Sequence, residues 1–172
     1  DAEEYGFKER FSNKTAIAPT ASISIICGGA SPGIEPIAAN SYTHKTLSGS
    51  YNVRNRYLQK ILDKHGKNND TIWSSITTNQ GSVEHLDFLT DHEKAVFKTA
   101  FELDQKWIVE LGADRTPYIS QAQSINIFLP ADVHKKELHQ IHFQAWKKGL
   151  KSLYYCRSKS IQRAENVNNQ LS

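Results

Sequence analysis

The sequence predicts an α/β fold with largely parallel strands, and two observations carry that prediction. Short apolar, β-branched runs alternate with segments of helical spacing in the order strand, helix, loop, helices, strand, helix, strand. The breaks between them fall at helix caps, glycines and prolines rather than inside the periodic runs. With 172 residues, 38% hydrophobic and 23% charged, the chain is long enough for one domain with a sizeable core.

Residues 1–11 read as a helix end, broken by Ser12 and Asn13. Thr15 to Ala18 reads as a short buried strand stopped by Pro19. Thr20 or Ser22 can cap a short helix through Ile25 and Ile26. Gly28 to Gly33, "GGASPG", is a mobile loop, and it is not a Walker loop because it lacks the GK[ST] ending. Residues 40–47 read as extended, with a turn at Ser48-Gly49. Val53 to His65 carries apolar residues at 53, 57, 58, 61 and 62, a helical pattern ended by Gly66. Asp70 or Thr71 caps a short helix through Ile76. Thr90 with Glu93 is a capping-box pattern, predicting one long helix to Gly112 with Val96, Ala100, Leu103, Trp107 and Leu111 on its buried face. Ser124 to Leu129 is a strand stopped by Pro130. Asp132 caps a helix through Leu138, Ile141, Ala145 and Trp146, ended by Gly149, and Leu153 to Cys156 forms a last strand. Residues 161–172 are polar and predict a flexible tail.

The net charge of +3 is too small to argue for nucleic acid. A basic nucleic-acid domain would need a patterned basic face with exposed aromatics, and the aromatics here fall mostly at core spacing. No apolar run reaches membrane-spanning length. Two cysteines, Cys27 and Cys156, exclude a disulfide framework, and each reads as a small buried hydrophobe. The default compartment is reducing and the expected location cytoplasmic. The chain starts at Asp1 and holds no methionine, which predicts a processed or partial chain with no secretory signal.

Few residues offer chemistry by type and spacing. In "TAIAPTASIS", residues 15–24, a strand ends at a proline and small hydroxylated residues open a helix. Free N–H groups and a positive dipole end suit a phosphate there, and the same residues serve equally as a plain helix cap. His139 and His142 share a helix face with His134 nearby, but no further ligand is placed for a metal, so none is expected. Glu35, before Pro36, is an acid or base with nothing yet to act on. Tyr154 and Tyr155 stand back to back in "SLYYCRS". In a regular strand they would point to opposite faces, one packing inward and the other covering the surface.

The stretches "IAPTASIS" (17–24), "GIEP" (33–36), "SQAQSINIF" (120–128) and "WKKGLKSLYYCRS" (146–158), with "THKTLSGSY" (43–51) and "RYL" (56–58), occur in one order. Together they resemble the C-terminal portion of the large, catalytic subunit of class I ribonucleotide reductase, over about residues 7–163. The resemblance implies the last part of a ten-stranded α/β barrel over residues 1–160. It implies an enzyme that reduces ribonucleoside diphosphates by a radical mechanism. It places Pro19, Thr20, Ala21, Ser22 and Ile23 in the substrate-phosphate loop. It makes Tyr154 and Tyr155 the pair that relays a radical from the small subunit to an active-site cysteine. For the pair to touch, the strand end must be bent or bulged, with near-parallel rings.

The resemblance also implies partners and departures. The family's radical cysteine with its loop and the reducing cysteine pair have no match here, and Cys27 and Cys156 do not stand at family redox positions. The expected partners are an N-terminal part of the large subunit, the small subunit and a second large subunit. The radical cofactor, a metal or tyrosyl, is expected in the small subunit, and nucleotide effectors in the N-terminal part. The chain alone is then inactive and exposes apolar barrel surface. The alternative is a non-catalytic remnant or docking module.

Overall fold

A computed structural model describes residues 4–6, 13–28, 31–46 and 49–158. The expected helix end at residues 1–11 falls mostly outside these, and the expected tail wholly so. The described residues form two compact units. One is built from the described residues within 36–103, the other from those within 1–35 and 104–158.

The 36–103 unit opens with an antiparallel hairpin, β1 (Ser41–Thr46) and β2 (Gly49–Arg54), in which Ser41 pairs with Arg54 and Thr46 with Gly49. The expected turn at Ser48-Gly49 lies partly outside the described residues, with Gly49 opening β2, and β2 takes Val53, which sequence spacing assigns to the next helix. That helix, α2 (Arg56–Lys64), starts instead where the Asn55 side chain accepts the amides of Tyr57 and Leu58. Helix α3 (Asp70–Thr78) is capped by Asn69 rather than by Asp70 or Thr71. Leu58, Leu62, Trp73, Ile76, Val83, Leu86, Leu89 and Phe97 form the core of this unit.

The largest correction concerns the expected long helix. Helix α4 (Asp91–Val96) does begin with the Thr90–Glu93 capping box, but it ends after two turns. The Phe97 carbonyl is taken by Asn40 Nδ2 at 2.7 Å, and the Ala100 amide donates to the Ile37 carbonyl at 2.8 Å. These distant partners pull residues 97–100 off the helical ladder. A new helix, α5 (Gln105–Arg115), then starts at the Asp104 cap in its own register. Its buried stripe is Gln105, Ile108, Val109 and Gly112, so Trp107 and Leu111 are exposed at 62% and 55%.

Helix α5 belongs to the second unit, which also contains α1 (Ala21–Ile26), β3 (Ile127–Leu129), α6 (Lys135–Lys147) and β4 (Cys156–Ser158). The expected strand at 15–18 is a single parallel bridge, Ile17 to Gln123, supported by Gln121 N donating to Thr15 O and Ser124 N to Ile17 O. Strands β3 and β4 are parallel, Ile127 facing Cys156. Parallel pairing is therefore confined to this unit, and the hairpin departs from the largely parallel expectation. Helix α5 lies close on the strand because Gly112 has no side chain; a Cβ there would come within 2.6 Å of Ile125 Cδ1. Helix α6 is capped by His134, whose Nδ1 accepts the Lys136 amide, not by Asp132. It ends at Gly149, which takes a left-handed φ of 80°. Among the described residues there is no closed barrel, and no helix is long and apolar enough to cross a membrane.

Asn40 holds the first unit together. It is 1% exposed, donates to the Gly81 and Phe97 carbonyls, and accepts from Asn55 Nδ2. Asn40→Ala strands these buried groups and is expected to cost about 2 kcal/mol, read as faster hydrogen exchange confined to residues 36–103. A second expectation concerns pH. The Thr90 backbone, followed by His65, pushes the Glu93 carboxyl down to about 2. A depressed folded pKa stabilises above the unfolded value and loses that effect as pH falls through the folded one. The start of α4 should therefore weaken between about pH 4.5 and about 2, and Glu93→Gln should flatten that acid loss in a circular-dichroism titration.

Candidate functional site

The tyrosine pair is built by its backbone. In a regular parallel ladder, the pair Ile127–Cys156 continues backwards with Tyr155 N donating to Ile125 O. Here Ile127 N donates to Tyr155 O at 2.9 Å, but it is Tyr154 N that donates to Ile125 O, at 2.8 Å. Tyr154 and Tyr155 thus both stand opposite the single residue Asn126, which is a bulge. The strict alternation of side chains is broken, and the two phenol rings come together. Their centroids are 4.2 Å apart with planes inclined at 57°. The rings are adjacent, as expected of a working pair, but tilted rather than near-parallel. The Arg157 guanidinium stands 5.5 Å from the Tyr155 ring centre.

Both phenols are about half exposed among the described residues, at 47% and 53%, rather than one inside and one outside. The Tyr154 pKa is raised, first by its hydrogen bond with Tyr155 and then by the charge of that neighbour, while Arg157 acts the other way. Two phenol rings with centres 4.2 Å apart are close enough for their hydroxyls to act on one another.

The loop at 19–23 is formed around Thr20, which takes a left-handed φ of 54° despite its β-branched side chain. Ala21, Ser22 and Ile23 follow as the first turn of α1, all exposed. Ser24 N is the first amide seen to donate back, to Thr20 O at 2.7 Å. The first-turn amides of 21–23 thus have no partner within the helix. Pro19 is exposed beside Gly33, where a Cβ would lie 3.6 Å from the Pro19 carbonyl oxygen.

Glu35 proves to be a structural carboxylate. It is buried, and its Oε1 accepts the Asn126 backbone amide. Its own carbonyl accepts from the Ser31 hydroxyl. That contact closes the turn over residues 31–35, at the end of the expected loop; residues 29 and 30 lie outside the described residues. Nearby, Arg115 Nε donates to Gln123 Oε1, and Gln123 Nε2 donates to Gly112 O and Thr116 Oγ1. Burial pushes the Arg115 guanidinium below its ordinary pKa, countered by the charges of Glu35 and Asp114.

The remaining candidates do not converge. His134 is a helix cap, His139 stacks on Phe143 at 6.0 Å, and His142 Nδ1 lies 2.8 Å from the Leu138 carbonyl. Among the described residues no group of three His, Cys, Asp or Glu side chains gathers to hold a metal ion. Cys27 and Cys156 are free and exposed, not buried as expected, because the turn after α1 and strand β4 are both open to solvent. Sequence reasoning missed Asn126 and Gln123 as individuals; their signal was a polar residue repeatedly interrupting the apolar run of "QAQSINIF".

A family profile described as ribonucleotide reductase, barrel domain, matches residues 1–156. The chain belongs to the ribonucleotide reductase barrel-domain family. It is 51% identical over 171 residues to a ribonucleoside-diphosphate reductase large subunit of Invertebrate iridescent virus 6, covering 97% of this chain and 18% of that relative. It is 38% identical over 142 residues to the large subunit of Danio rerio, covering 82% and 18%. A solved structure, the alpha subunit of the class Id ribonucleotide reductase of Actinobacillus ureae, superposes with a TM-score of 0.79 at 40% identity. That match covers 92% of this chain and 28% of the other. The chain thus spans under a third of the length of these relatives.

The phenol contact can be tested by titration. In Tyr155→Phe the Tyr154 phenol should ionise at lower pH, since the raising partner is gone, and in Arg157→Ala at higher pH, since the lowering charge is gone. Ultraviolet absorbance of the phenolate reads both shifts.

Proposed function

We propose that the chain is part of the large subunit of a ribonucleotide reductase that reduces ribonucleoside diphosphates to deoxyribonucleotides for DNA synthesis. In this reading residues 1–160 supply the last part of the ten-stranded barrel domain, and Tyr154 and Tyr155 supply a radical relay. The observation that carries it is the bulge that sets two exposed phenols 4.2 Å apart in a chain of this family. The step balances as a hydrogen-atom transfer. One phenol gives up an electron and its hydroxyl proton and becomes the phenoxyl radical. The neighbouring phenoxyl radical accepts both and becomes the phenol. The O–H bond broken on one ring is matched by the O–H bond formed on the other, so no net charge is created on either ring.

The turn at 19–23 is the proposed substrate-phosphate loop. The left-handed Thr20 and the exposed first turn of α1 support this reading. Pro19, Thr20 and Ala21 shape the turn, the amides of Thr20, Ala21, Ser22 and Ile23 face the terminal phosphate, and the Ser22 hydroxyl adds a donor. The active-site cysteine and the reductant come from the rest of the large subunit in this reading. That remainder also binds the nucleotide effectors. The small subunit holds the radical cofactor, the large subunits dimerise, and the assembly works in the cytoplasm.

Reconstitution tests the proposal. The chain, in a complete large subunit or beside a complementary N-terminal fragment, is mixed with the small subunit and a ribonucleoside diphosphate. Tyr154→Phe and Tyr155→Phe should each abolish deoxynucleotide formation without weakening subunit or substrate binding. Ser22→Ala should raise KM by about tenfold, the worth of one charge-assisted hydrogen bond. Assembly without turnover for the unaltered chain would instead favour a docking module.

A further inference from the structure

The bulge leaves one group to be accounted for. A regular ladder would use the Tyr155 amide, and the bulge removes it, because Tyr154 N takes the Ile125 carbonyl instead. The displaced amide points at the Asn126 side chain, with Oδ1 at 3.3 Å. Asn126 is itself held from the other side, since its own backbone amide donates to the buried Glu35 carboxylate. Glu35 in turn abuts Gly33, where a Cβ would lie 2.6 Å from Glu35 Oε2, so the glycine lets the carboxylate reach the strand. Asn126 therefore uses backbone and side chain in opposite directions, and the residue opposite the bulge is the one that satisfies it.

We propose that Asn126 is the positioning residue of the tyrosine pair: its side-chain oxygen stabilises the bulge that brings the Tyr154 and Tyr155 rings into contact, and Glu35 fixes Asn126 in place. The inference rests on the relay reading above. Asn126 acts through the backbone of Tyr155. A side chain that cannot accept at that point lets the strand return to regular pairing, in which neighbouring rings face opposite sides. Asparagine suits the place because its oxygen accepts the amide and its length reaches back along its own strand, while Glu35 meets only its backbone amide.

The test uses the complete large subunit with its small subunit and a ribonucleoside diphosphate. Asn126→Ala should lower kcat by about tenfold to a hundredfold, the usual effect of misplaced reacting groups, with KM and small-subunit affinity unchanged. Asn126→Asp keeps an acceptor oxygen at the same reach and should restore most of that kcat, which a general loss of stability does not predict. If the alanine variant does not fold, Asn126→Ser replaces it, because the serine oxygen is too short to reach Tyr155 N. Unchanged kcat in Asn126→Ala or Asn126→Ser, beside inactive Tyr154→Phe and Tyr155→Phe, would overturn the positioning role while leaving the relay standing. So would an aspartate variant as slow as the alanine. Full turnover in the two phenylalanine variants would remove the relay reading and this inference with it.

Discussion

The backbone amide of Tyr155 has no carbonyl to bond in the β3–β4 ladder, because Tyr154 already occupies Ile125 O. A buried or half-buried amide without a partner is costly, and the Asn126 side chain supplies the missing acceptor. That substitution allows two consecutive residues to face one, and two consecutive rings to share a side. The same strand is tied on its other edge by Glu35 and by the 15–18 segment. The tyrosine pair and the turn at Thr20 therefore hang from one short run of backbone, residues 121–127. Gly112 lets helix α5 press against that run, and the Arg115–Gln123–Thr116 bonds lock the helix end to it.

Much of this was legible in the residues. Gly66 and Gly149, the Thr90–Glu93 box and the Pro130 stop all act where spacing places them, because they are local and depend on a few neighbouring atoms. Two caps are off by one or two residues, at Asn69 and His134, and the larger failures are those in which a distant partner overrides a local preference. Apolar residues at 96, 100, 103, 107 and 111 mimic one helical face, yet Asn40 and Ile37 claim the Phe97 and Ala100 backbone. Asp104 then starts a helix with a different buried stripe. The hairpin was half seen for a similar reason. Val53 fits a helical pattern, but its backbone pairs with Tyr42, and the Asn55 cap is what begins the helix.

The site was legible at the level of motifs rather than atoms. "YYCRS" announces a phenol pair, and the proposed relay calls for a departure from regular strand geometry, which the bulge provides. Neither composition nor spacing says which residue stabilises that departure. Asn126 sits between Ile125 and Ile127, and Gln123 before them, as polar side chains where alternation alone would accept apolar ones. Buried or half-buried polar residues in a strand need partners, and asking where those partners lie leads to Glu35, Arg115 and Tyr155. Glu35 illustrates the converse. A carboxylate beside a proline invites a catalytic reading, yet it is occupied in binding the strand amide.

The central claim is that the two adjacent phenols carry a radical. The most direct measurement places an easily oxidised tyrosine analogue, 3-aminotyrosine, at position 154 and then at 155 of the complete large subunit. Each protein is mixed with the small subunit and substrate, and electron paramagnetic resonance is recorded after rapid freezing. The account predicts an aminotyrosyl radical at each position, formed as the small-subunit radical disappears. A small-subunit radical that persists, with no new signal at either position in a fully assembled complex, would contradict it.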